Sequence, residues 1–91
     1  MDTQTILKLL KMDLMIMSDQ RDDFLLQCIN AATAFIEREG VTIKDSVEDT
    51  QLIVMYAAYM YRQRTQPDTG MPRMLRWALN NRLFSQEAQD G

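Results

Sequence analysis

Any chemistry in this chain has to come from carboxylates. Its 91 residues include no histidine and a single cysteine, Cys28, so no imidazole-thiolate zinc site and no Ser-His or Cys-His triad can be assembled. Two acidic pairs, Asp22 with Asp23 and Glu48 with Asp49, have the residue type for general acid–base work. Each pair, however, follows a residue that starts a helical pattern, and the helix dipole favours carboxylates in a first turn. The glycines are isolated at positions 40, 70 and 91, so there is neither a phosphate-cradling loop nor a dinucleotide fingerprint. Cys28 lies among apolar helical neighbours and reads as a small buried hydrophobe, not a nucleophile. The expectation is a protein that is not an enzyme and holds no metal or cofactor.

Binding chemistry is better represented. The net charge is −3, against a whole-surface nucleic-acid binder of the usual basic kind. Its distribution is uneven. Residues 1–50 hold five basic and ten acidic groups (−5), whereas residues 51–91 hold five and three (+2). The late arginines Arg62, Arg64, Arg73, Arg76 and Arg82 form either solvated helix faces or a docking face for an acidic partner. Trp77 and Phe84 project from the last helix on the side away from its core stripe, beside Arg73. Aromatics next to arginine have the composition of an interface centre; the alternative is that the central helix or the tail folds over them.

These residues must be positioned by helices. The run Leu52–Tyr61, LIVMYAAYMY, has no formal charge and no strong breaker. It is too short for a bilayer, which needs roughly 20 apolar residues, so it reads as a buried central helix. A helix apolar nearly all round must be covered nearly all round, and the expectation is that other copies or proteins cover part of it, with Val54 and Tyr61 among the surplus.

Before it, Asp2 or Thr3 caps a short amphipathic helix to about Lys11, and Met12–Met17 is a connector pressed onto the core, its methionines adaptable fillers or a soft contact surface for a partner, with filler the favoured reading. Ser18 or Asp19 then caps a second helix with a stripe of Leu25, Cys28, Ile29, Ala32, Phe35 and Ile36, ended by Gly40. Leu26 sits on the opposite, polar stripe and is an exposed interface candidate. Ser46 with Asp49 resembles a capping box for the central helix, which runs to about Thr65. Gln66–Gly70 is a turn. Pro72 opens a last helix to about Leu83 with core positions Met71, Leu75, Ala78, Leu79 and Leu83. Residues 83–91 read as a flexible tail. One domain, 1–91, is expected: an all-α bundle of about four helices around a central hydrophobic one. The lack of a basic, then apolar leader points away from secretion.

The order LKLLKMDLMI, an acidic helix start at Asp19, Asp22 and Asp23, AATAFI, a hydrophobic helix ending YMYRQR, a short loop and MPRMLRWALNNRL closely resembles the small head-tail connector proteins of tailed bacteriophages and prophages. These proteins take part in DNA packaging and head completion. The resemblance spans about Ile6–Leu83. Its most telling parts are Tyr59, Tyr61 and Arg64 closing the central helix, and Met71 with Pro72 opening the last.

The resemblance implies an all-α protomer that forms a homo-oligomeric ring of about a dozen copies beneath the portal protein. Such a ring extends the DNA channel and docks a tail-side connector or tail protein. DNA would pass without specific binding, and the acidic excess suits that lining. The location implied is the virion head-tail junction, after assembly in the bacterial cytoplasm and away from any membrane. Candidate interface residues are Leu26, Val54, Tyr61, Arg62, Arg64, Arg73, Arg76, Trp77 and Phe84. The competing readings are a small helical DNA-binding regulator, with Arg73, Arg76 and Arg82 in a groove, and a generic dimeric helical adaptor.

Overall fold

The computed structural model describes residues 2–90, with side chains to residue 88. It consists of four helices in the order α1 (Thr3–Leu14), α2 (Asp22–Arg38), α3 (Val47–Thr65) and α4 (Arg73–Asp90), with no strand among the described residues. Helices α1 and α2 pack on α3 and on each other, and α4 packs on α3. The resulting slab measures 45 × 31 × 18 Å. Its thin dimension is about two helix diameters, so there is room for one core only.

Helix α1 starts at the Asp2 N-cap, whose carboxylate accepts from the Thr5 N–H at 2.8 Å. It continues three residues beyond the expected Lys11, because half-buried Leu14 extends the stripe of Ile6, Leu7 and Leu10. It ends in a Schellman-type closure: the Ile16 N–H donates to the Lys11 carbonyl at 2.9 Å, and the Met15 N–H to the Met12 carbonyl at 3.3 Å. The residue at the left-handed position is Met15, with φ 61°. Glycine is the usual occupant there, and a methionine costs about 1–2 kcal/mol.

Helix α2 begins at Asp22, two or three residues later than an Asp19 or Ser18 cap would place it. Its first residue follows Arg21, which makes no side-chain cap. The expected caps are otherwise engaged: Lys11 Nζ meets Asp19 Oδ1 and Asp22 Oδ1, both at 2.9 Å. This double pairing ties the end of α1 to the start of α2, and its hydrogen bonds to Asp22 and then Asp19 raise the Lys11 pKa. Gly40 closes α2 at φ 111°, with the Val41 N–H donating to the Ile36 carbonyl at 3.4 Å.

The expected capping box at α3 is half formed. The Ser46 hydroxyl accepts from the Asp49 N–H at 3.1 Å, but the Asp49 carboxylate turns inward. It accepts from the Lys44 N–H at 2.7 Å and takes both Nε and Nη2 of Arg82, at 2.6 and 3.2 Å. Arg82 Nη2 also donates to the Thr42 carbonyl at 2.8 Å. Gln86, one turn on, donates to the Gly40 carbonyl and accepts from the Thr42 N–H, both at 2.7 Å. Residues expected to form a flexible tail thus continue α4 to Asp90, held by the α2–α3 link. Gly91 lies outside the described residues.

The core is built on α3. Six residues of Leu52–Tyr61 are buried and the other four are half-buried against the same cluster. The expectation that this helix needs other copies to cover it is therefore overturned: α1, α2 and α4 enclose it. A helix flanked on three sides by its own chain has little apolar surface left, and the low amphipathicity of α3 reflects burial within the protomer.

Asp49 is 1% exposed and Arg82 is 7% exposed. Burial alone would raise the Asp49 pKa, but hydrogen bonds from Arg82 and the Lys44 N–H, with the Arg82 charge, outweigh it and hold the carboxyl below its ordinary value. Asp49→Ala, which strands a buried guanidinium, is expected to cost about 3–5 kcal/mol, measured by urea unfolding. Because the folded-state pKa is depressed, the pair's contribution is fully present above the ordinary carboxylate range near pH 4 and is lost as pH falls through the folded value. Arg82→Met should flatten the acid limb of a stability-versus-pH curve.

Candidate functional site: two exposed apolar surfaces

Eight large hydrophobic side chains are exposed among the described residues, and six of them gather on two surfaces. The first lies on α4. Met74, Trp77 and Phe84 are 66%, 62% and 74% exposed, and their spacings of three and seven residues place them within a quarter turn of one helix. The inward side of the same helix carries buried Leu75, Leu79 and Arg82, so α4 is oriented by its core stripe and by the Asp49 pair. Arg73 and Arg76 are exposed beside Trp77 and make no ion pair among the described residues. Trp77 also edges a cleft of about 280 Å³ between α3 and α4, floored by Leu52, Met55 and Ala78.

The second surface lies at the α1–α2 corner, where the sequence reading favoured core filling over a contact surface. Met12, Met15 and Met17 are 65%, 87% and 97% exposed, so the methionines expected to fill the core face solvent. Only Leu14 and Ile16, alternating with them, pack inward. With Leu7, Ile16 and the stem of Lys11, the three methionines line an open groove of about 810 Å³. The left-handed backbone at Met15 helps turn this segment outward. The available signal was the period-two alternation of the branched Leu14 and Ile16 with Asp13, Met15 and Met17, which a reading based on hydrophobic composition alone does not weigh.

The remaining candidates divide. Val54 is buried against the core and is not part of any exposed face. Leu26 is half-buried and packs on the core, unlike the exposed position expected of it. Its place on the polar stripe of α2 is covered by neighbouring structure that a helical wheel cannot represent. Tyr61 is half-buried, its ring 5.8 Å from Phe24, and its hydroxyl accepts from Arg21 Nη1. The Arg64 guanidinium lies 4.3 Å from the centre of the Phe24 ring, and Arg62 pairs with Asp13 at 3.3 Å. The late arginines therefore form no single face: Arg62 and Arg64 engage α1 and α2, Arg73 and Arg76 flank the α4 stripe, and Arg82 is internal.

Neither acidic pair forms a reactive centre: Asp49 is committed to Arg82 and Asp22 to Lys11. Cys28 is buried, and desolvation raises its thiol pKa. Among the described residues, no group of three or more side chains is placed to hold a metal ion, and no helix is long and apolar enough to cross a membrane. Comparison with family models, with curated proteins and with solved structures finds no match to this chain.

The division between exposed and internal residues is measurable. Trp77→Ser should change protomer stability by less than about 0.5 kcal/mol, as surface substitutions do, whereas Val54→Asn, which buries an amide, should cost about 1–3 kcal/mol beyond the lost methyl packing. Equal effects in chemical unfolding would contradict the assignment.

Proposed function

We propose that this protein is a non-enzymatic structural component of a virion, a head-tail connector that assembles as a ring beneath the portal. In this reading the ring extends the DNA channel and presents a docking surface for a tail-side protein. DNA passes through without specific binding, and the protein works at the head-tail junction after assembly in the bacterial cytoplasm.

The observation that carries the reading is the pair of separate apolar surfaces on a protomer whose core is already complete. Ring closure requires a heterologous interface, in which two different patches of each copy meet around an axis. A chain with one patch would make a dimer, and a chain with none would need no partner. The order of segments from Ile6 to Leu83 adds the connector assignment to this physical case. The exposed apolar surface lies on α4 and at the α1–α2 corner, not on α3, which its own chain encloses. A DNA-reading role for α4 is disfavoured by Arg82, whose guanidinium is turned inward onto Asp49.

Mixing the protein with its cognate portal and imaging by electron microscopy should reveal an added ring below the portal. Arg73→Glu with Arg76→Glu should retain the unfolding midpoint and lower ring occupancy. A portal that gains no density in the presence of the unaltered protein counts against the reading.

A further inference from the structure

We infer that the methionine groove at the α1–α2 corner receives α4 of a second copy of this chain, an inference that rests on the assembly reading above. The two surfaces match in kind. Helix-in-groove recognition uses apolar anchors at spacings of three, four and seven residues on one helix face, and Met74, Trp77 and Phe84 supply such a row over about 15 Å of helix. Opposite it, an open groove of about 810 Å³ is lined by Met12, Met15 and Met17. Methionine is flexible and polarisable, and it adapts its shape to aromatic partners.

The charges match as well, and they give the contact a direction. The basic start of α4, with Arg73 and Arg76 unpaired among the described residues, complements the end of the groove where Asp19 and Asp22 share the single cation Lys11. Toward the other end of α4 is Glu87, and toward the other end of the groove is Lys8. Both pairings are satisfied together when α4 of one copy runs antiparallel to α1 of the next. A symmetric α4–α4 contact is the alternative pairing, and it differs in needing no groove, so it would survive removal of the three methionines.

Met15 supplies an independent mark of function. A non-glycine residue stands at φ 61°, where glycine would relieve strain, and its side chain is 87% exposed, so the strain secures no internal packing. In the assembled state it places a sulfur in the wall of the groove. Met15→Gly therefore separates the two roles of this position: the unfolding midpoint should hold or rise while association weakens.

The decisive test pairs complementary defects. One variant combines Trp77→Ser with Phe84→Ser and keeps the groove; the other combines Met12→Ser, Met15→Gly and Met17→Ser and keeps α4. In sedimentation velocity at up to about millimolar protein, a concentration suited to weak contacts, the unaltered chain should grow beyond twice 10.6 kDa. Each variant alone should remain a monomer, and an equimolar mixture should form a one-to-one dimer. In that mixture, Arg73→Glu with Arg76→Glu on the α4-bearing partner should weaken binding about tenfold. A mixture that stays monomeric, a single variant that assembles like the unaltered chain, or an unaltered chain that stays monomeric throughout would each overturn the inference. If the groove variant still enters a ring on the portal, the connector reading stands and this contact fails; if the unaltered protein makes no ring on the portal, the connector reading itself fails.

Discussion

The buried pairing of Arg82 with Asp49 sets the arrangement of the C-terminal third of the molecule. Helix α4 has a narrow apolar stripe, with only Leu75 and Leu79 buried, so hydrophobic contact alone would define its rotation weakly. A guanidinium that reaches a carboxylate through two nitrogens and a backbone carbonyl through one of them leaves little rotational freedom, because each misplaced donor would be left unsatisfied in a low-dielectric site. Gln86 extends the same constraint by meeting both polar groups offered at Gly40 and Thr42. The outward display of Trp77 and Phe84 follows from this inward polar lock.

Asp49 also ties α3 to the α2–α3 link and to α4. It lies in the first turn of that helix, where its charge suits the dipole, yet its carboxylate binds α4 and the α2–α3 link. One side chain thereby couples the start of the central helix to the placement of the last one. The hydrophobic segment that follows is enclosed by three helices of its own chain, and the protomer has a complete if thin core. Surface apolar groups are then free to serve contacts between molecules without being needed for folding.

At the opposite corner Lys11 plays a comparable part with less burial. It holds Asp19 and Asp22 together, bends the chain between α1 and α2, and leaves the methionines on the outside of the bend. Polar contacts thus decide the orientation of both apolar surfaces. This division of labour suits a small helical protein whose core residues are few and whose interactions must be directional.

Much of the architecture was legible in the residues themselves. Four helices, the Gly40 stop, the acidic first turns and the core stripes of α2 and α4, apart from Phe35, which is exposed, follow from side-chain periodicity and from capping chemistry that acts over three or four residues. The exposed position of Trp77 and Phe84 followed from the same periodicity. What the sequence could not decide were contacts between residues distant along the chain. Arg82 was one of five similar arginines until folding brought it onto Asp49, 33 positions earlier in the chain. Val54 and Leu26 were assigned by the wheel of a single helix, which contains no information about the helices that cover it. Met12, Met15 and Met17 have the composition of a core, and only the left-handed turn at Met15 and the pairing of Lys11 across the corner turned them to solvent. Local periodicity determines which residues share a face, whereas tertiary packing determines whether that face meets the protein or the water.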